Sequence, residues 1–227
     1  MMFSLRFQET LHFWWHHLWP LFAVTAPFAL LDLNIQWYLG APYELLGTDQ
    51  IQLNSTSLIC TLLLWPLASA TLVAQLGAIQ SGRPQPLGLC LLVALRCGSL
   101  LLLGLLLTVA ATSAGLLLLI LPGLWIYARL SLLPFLLVLE GKSPLAACRE
   151  SFRLSGEQQW PLLFGLCFVG LLVFSLTNLL MTALSSLAFL PGWAAPLLST
   201  MAFGLFGALT DIYVFRFYLL ARQTQPA

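Results

Sequence analysis

From Leu87 to Leu139 the chain runs for 53 residues with two charged side chains, Arg96 and Arg129. A helix needs about 20 apolar residues to cross a bilayer core. The run is therefore too long for one crossing and long enough for two crossings joined by a tight turn. In lipid every backbone amide must be satisfied within the protein, which leaves helices or closed barrels. Uninterrupted apolar runs, rather than alternating ones, select helices. The small, weakly polar segment Ala110-Ala111-Thr112-Ser113-Ala114-Gly115 is the natural divider, giving spans of about Leu87–Thr108 and Leu116–Leu139.

Four more runs are long enough to cross: about Leu18–Tyr38, Leu58–Ala78, Trp160–Leu184 and Leu197–Leu220. The composition fits a lipid solvent, since 60% of the residues are hydrophobic and 7% charged. A soluble domain carries about 25% charged residues to cover its surface. The expected fold is an all-α polytopic membrane helix bundle, one integral membrane domain over residues 1–227. It divides into an N-terminal interfacial helix (1–17), spans one to four (18–139), a cytoplasmic interfacial helix (140–159) and spans five and six (160–222). Ala23-Val24-Thr25-Ala26 has the small residues of a cleavage site, but Pro27 follows, so the first run is expected to be retained.

Charge asymmetry sets the orientation. Arg6, Arg83, Lys142, Arg149, Arg153 and Arg222 fall on one side, whereas the opposite loops hold Glu44 and Asp49. The positive-inside bias then makes both termini cytoplasmic. The longest external loop, about Leu39–Ser57, has no core of its own, and no soluble catalytic domain is attached.

Two amphipathic segments flank the spans. Ser143-Pro144 has the residue types of an N-cap followed by a first helical position. Leu145, Cys148 and Phe152 then share one face, away from Arg149, Glu150 and Arg153, and Gly156 is suited to end the helix. With Glu140 and Lys142 this reads as a helix on the cytoplasmic membrane surface. At the N-terminus, Phe3, Phe7, Leu11, Trp14 and Leu18 form a similar stripe, opposite Arg6, Glu9, His12 and His16. Glu9-Thr10-Leu11 precedes Trp19-Pro20-Leu21 as Glu150-Ser151-Phe152 precedes Trp160-Pro161-Leu162, with ten residues from glutamate to tryptophan in both. This is either a structural repeat or convergence on one physical need.

Charges inside the spans are costly, about 2.5–3.5 kcal/mol each at the bilayer centre. Arg96, Arg129, Asp211 and Arg216 are the candidates for a polar cluster, with Asp32 further out. Arg96 and Asp211 each lie about 14 Å from the cytoplasmic ends of their helices, so an Arg96–Asp211 pair is expected, with Arg129 as the competing partner. Such a pair either pins the helix order or lines a polar pathway. Arg216 is placed to snorkel to the headgroups. Pro122-Gly123 is expected to break or kink the fourth span. Small-residue stripes at Ala70/Ala74/Ala78, Ala94/Gly98 and Gly204/Ala208 are suited to close helix packing.

Chemistry is sparse. The five cysteines form no CxxC, and four lie inside apolar runs as small membrane-helix residues. His12 and His16 have metal-ligand spacing, but only Glu9 accompanies them, so no metal and no cofactor is expected. HExxH, P-loop and GxSxG motifs are absent, and all histidines lie in the N-terminal segment, leaving a Ser-His site in the bundle without a base. An enzyme is not expected. With a net charge of +1 and no basic stripe, neither is nucleic-acid binding.

Leu121-Pro122-Gly123, Arg129-Leu130-Ser131, Pro134, Glu140, Ser143-Pro144-Leu145, Ser151 and Leu154 form a pattern that resembles the YciC-like family of bacterial inner-membrane proteins. The end of the sixth span, Tyr213 to Gln223, resembles the C-terminus of that family. The central pattern is also similar to the membrane domain fused to some glycerophosphodiester phosphodiesterases. The resemblance implies a multi-span inner-membrane protein associated with envelope upkeep, with no catalytic residue carried over. Three roles follow as expectations: non-catalytic envelope homeostasis through contacts with membrane lipids or proteins, transport of a small solute or lipid past the Arg96/Arg129/Asp211 cluster, or docking of a protein partner on the cytoplasmic 142–159 helix.

Overall fold

The computed structural model describes residues 2–46, 50–83, 85–156, 158–187, 191 and 193–223. The fold is an all-α bundle with six helical segments long and apolar enough to span a membrane. Asp49 lies outside the described residues, as do the side chains of Phe3, Arg6 and Glu44.

The chain begins with the short helix α1 (Met2–His16) and turns at His17 into the first span, α2 (Leu18–Leu39). A β-hairpin follows, β1 (Tyr43–Leu46) against β2 (Gln50–Leu53), pairing Tyr43 with Leu53 and Leu46 with Gln50. The hairpin falls in the loop about Leu39–Ser57 and gives it a local backbone pairing that its sequence did not announce. Asn54 then caps the second span, α3 (Ser55–Gln80), accepting from the Ser57 amide at 3.3 Å. The Asn54 side chain also bonds the Leu39 carbonyl, and Ser57 Oγ donates to the Gly40 carbonyl at 2.8 Å. The exit of α2 and the entry of α3 are thus stitched together.

The third span, α4 (Leu87–Leu118), continues through the expected divider at Ala110–Gly115. Ala is the best helix former, and no proline interrupts the segment, so its small residues have no reason to break the helix. At 32 residues α4 is about 48 Å long, beyond the roughly 30 Å hydrocarbon core, so it tilts or stands proud. The turn is the single extended residue Leu119.

The fourth span consists of α5 (Ile120–Leu130) and α6 (Leu133–Val138), with the break at Ser131-Leu132. This relocates the expected kink. Pro122 sits in the first turn of α5, where a proline removes no helical hydrogen bond. Gly123 serves close packing instead: a Cβ on Gly115 would lie 2.8 Å from the Gly123 Cα. The actual break precedes Pro134, which sits in the first turn of α6.

After α6 come α7 (Pro144–Leu154), the fifth span α8 (Gln159–Ser185) and the sixth span α9 (Ala194–Gln223). Six crossings bring α1, the α3–α4 turn, the α6–α7 segment and the end of α9 to one face of the bundle, the terminal face. Both short helices expected from amphipathicity are present. In α1, Trp14 is buried, Phe7 and Leu11 pack against the core as does Leu18 at the start of α2, and Glu9, His12 and His16 are exposed. In α7 the face is rotated from the expected one. Leu145 is 69% exposed, and the buried line is Ala147, Ser151 and Leu154. The shift has a polar cause, because the Ser151 hydroxyl donates to the Arg129 carbonyl at 2.5 Å.

The last span, α9, packs on both α2 and α8. Gly204 lies against Thr25 and Ala29 of α2, so this small-residue stripe does bring helices close. On α8, the Tyr213 hydroxyl crosses over Gly165 to donate to the Pro161 carbonyl at 2.8 Å. A Cβ on Gly165 would fall 1.8 Å from that hydroxyl oxygen. Phe135 stacks on Phe215 and Tyr218 at 5.5 and 5.7 Å, fastening α6 to α9. Trp19 and Trp160, the first aromatics of α2 and α8, are both exposed and stack on Phe22 and Phe164 one turn on. The Trp-Pro entries therefore share an interfacial form.

Gly165→Ala should evict Tyr213 from its bond and destabilise the detergent-purified protein by about 1–3 kcal/mol, read as a fall in Tm. Gly170→Ala, with open space around the new Cβ, should leave Tm unchanged.

Candidate functional site

The terminal face is organised by charge. Helix α6 ends in a turn that needs positive φ: Gly141 has φ 63° and the Lys142 amide reaches back to the Leu136 carbonyl at 3.3 Å. Glycine suits this position because a Cβ would strain it. The turn places Glu140 and Lys142 side by side at the mouth of the bundle.

Glu140 is the hub. Its carboxylate accepts from Tyr218 at 2.7 Å and from Arg222 Nε at 2.8 Å, with a second bond from Arg222 Nη2. Lys142 Nζ lies 3.1 Å from Glu140 and 3.4 Å from Glu150, and Arg222 and Arg153 also reach Glu150, at 3.3 and 2.8 Å. The exit of span four and the α7 that follows it thereby meet the end of α9, 72 to 82 residues later in the chain, in one network. Partial burial works against ionisation of Glu140, but the hydrogen bonds from Arg222, Tyr218 and Lys142 outweigh it and hold its carboxyl below the usual range. Glu150 behaves alike: partial burial opposes its charge, while Lys142 and Arg153 win and lower its pKa. Arg149 is exposed on α7.

Arg129 enters no ion pair among the described residues. Its guanidinium donates to the Phe152 carbonyl at 3.1 Å and to the Gln159 side chain. It also lies over the rings of Trp125, at 4.6 Å, and Phe152, at 5.6 Å. Trp125 Nε1 donates to the same Gln159 oxygen at 3.3 Å. A cation at the carbonyl end of α7 is favoured by the helix dipole, so Arg129 locks α5 onto the α7–α8 junction.

The expected Arg96–Asp211 pair does not form. Arg96 is exposed on α4, and among the described residues neither side chain enters an ion pair. Equal depth along two helices says nothing about rotation around them. Arg216 rests over the Phe13 ring at 5.1 Å, joining α9 to α1. Asp32 accepts from Gln36 of its own helix at 2.7 Å and from Thr61 of α3 at 3.4 Å, and the second bond joins spans one and two. His12 and His16 stack at 5.9 Å, and among the described residues no group of three potential ligands is placed to hold a metal.

Beside the ion network a cleft of about 480 Å³ opens between α3, α4, α6 and α9. Its floor is apolar, formed by Val93, Val138, Leu139, Phe215 and Leu219, and its rim carries Gln80, Ser81, Arg83 and Gln85. Ala74 and Ala78 form one wall. In the α3 stripe only Ala70 is fully buried, so the small residues at 74 and 78 leave a space open rather than closing a helix seam. Tyr218 belongs to both features: it lines the cleft, and its hydroxyl holds Glu140.

In comparisons with protein-family models, curated proteins and solved structures, nothing matches this chain.

A carboxylate with a lowered folded-state pKa stabilises the fold above the unfolded titration, at about pH 4.3, and the stability is lost as pH falls through the folded value. The Tm of the purified protein should therefore hold near neutrality and fall on acidification below about pH 5. Glu140→Gln should lower Tm at pH 7 and flatten that acid decline.

Proposed function

We propose that this chain is a non-catalytic integral protein of the bacterial inner membrane, with both termini cytoplasmic, that serves envelope upkeep through contacts with membrane lipids. The observation that carries this reading is the cleft, whose apolar floor and polar rim match the two chemistries of a phospholipid at the end of a span. The resemblance to YciC-like proteins points the same way. Arg83, Lys142, Arg149, Arg153 and Arg222 all lie towards the terminal face, which supports a cytoplasmic assignment for it. Docking of a partner on α7 is less well supported, because Lys142, Glu150 and Arg153 are already engaged within the chain.

Transport is the second reading, favoured by one observation. Asp211 lies well inside α9, retains some accessibility and enters no ion pair among the described residues. Intramembrane acids are often functional.

Two assays on one preparation separate the readings. Protein extracted into native-lipid discs and then exchanged into mild detergent should retain phospholipid at about one molecule per chain, by mass spectrometry. Proteoliposomes should show no solute or proton flux above empty vesicles. Flux abolished by Asp211→Asn, with no retained lipid, would replace the lipid-contact reading with transport.

A further inference from the structure

We propose that the terminal-face cleft selects an anionic phospholipid, with Arg83 holding the headgroup phosphate and an acyl chain lying on the floor between α3 and α9. This rests on the lipid-contact reading and assigns it a lipid class and a recognition residue.

Charge complementarity carries the inference. Among the described residues lining the cleft, Arg83 is the charged one, and its side chain enters no ion pair. The nearby acid, Glu140, is already matched by Arg222 and Lys142, so it neither neutralises Arg83 nor repels an incoming anion. The carbonyl end of α3 would also repel an anion, but it is covered. The Gly77 carbonyl accepts from the Ser81 amide and hydroxyl at 3.1 and 2.9 Å, and the Ala78 carbonyl accepts from the Arg83 amide at 3.0 Å. Gly82, at φ 69°, turns the chain so that Arg83 follows directly at the rim. A guanidinium matches the geometry of phosphate oxygens, and basic pockets at span ends recruit anionic headgroups.

The floor argues for a lipid rather than a free anion. Val138, Leu139, Phe215 and Leu219 offer an anion nothing, whereas they can accept the first methylenes of an acyl chain. Each buried methylene adds to affinity.

The test uses the full-length protein, stripped of lipid in detergent and titrated with phosphatidylglycerol or phosphatidylcholine of identical acyl chains, with bound lipid counted by native mass spectrometry. The wild type should bind phosphatidylglycerol roughly five- to tenfold more tightly than phosphatidylcholine. Arg83→Gln should abolish that preference while phosphatidylcholine binding persists. Ala78→Phe, which fills the cleft, should weaken both lipids. If it does not elute as a monodisperse species, Val138→Phe replaces it. Arg149→Gln, at an exposed arginine away from the cleft, should change nothing. A preference that survives Arg83→Gln, or is absent from the wild type, overturns the inference while the lipid-contact reading stands. No retained lipid of either kind overturns both. Inorganic phosphate that displaces phosphatidylglycerol at equal concentration would show a bare anion site and overturn the lipid assignment.

Discussion

The bidentate pairing of Arg222 with Glu140 is the interaction on which the terminal face depends. It joins the exit of the fourth span to the end of the sixth, 82 residues later in the chain. In a bundle solvated by lipid, apolar burial between helices supplies little drive, because lipid tails are as apolar as leucine. Packing shape and a few polar contacts must specify the helix order instead. Here the polar contacts sit at the interface, where charges cost less than at the bilayer centre. Tyr218 and Lys142 complete the Glu140 shell, and α7 joins through Glu150.

Two further polar devices extend this logic. Arg129 ties α5 to the end of α7 and the start of α8, and Arg216 rests on α1. Among the described residues neither arginine meets an acid: Arg129 engages a carbonyl, an amide oxygen and aromatic rings, and Arg216 an aromatic ring. The Trp-Pro entries of α2 and α8 follow short amphipathic helices that pack inward, so each half of the terminal face is built from a surface helix feeding a span. The cleft lies where this construction leaves α3 and α9 apart, with Ala74 and Ala78 too small to close the gap.

Much of the architecture was legible in the residues. Run length gave the six spans, and amphipathic spacing gave α1 and α7. The hairpin was missed because eight residues of weak alternation, Tyr43-Glu44-Leu45-Leu46 and Gln50-Ile51-Gln52-Leu53, were overshadowed by the runs on either side. Ala110–Gly115 was read as a divider because small polar residues break soluble patterns, whereas in lipid they continue a helix comfortably. Pro122 misled because a proline marks a kink only inside a helix, and position alone did not show that α5 begins two residues earlier. The charged hub was the least legible feature. Glu140, Lys142, Glu150 and Arg153 were all singled out, but Arg222 was read only as an orientation signal. Depth along a helix suggested Arg96 with Asp211, yet pairing also requires the two side chains to face each other, which depth does not encode.

The direct test of this account is a charge swap between Glu140 and Arg222, with Tm and monodispersity measured in one detergent at pH 7. Glu140→Arg alone and Arg222→Glu alone should each lower Tm, since each places like charges together. The double variant should recover a substantial part of the loss, because the pair is reconstituted in reverse. A double variant no more stable than the sum of the two single losses predicts would show that the two residues are not coupled. The terminal face would then owe its order to packing alone.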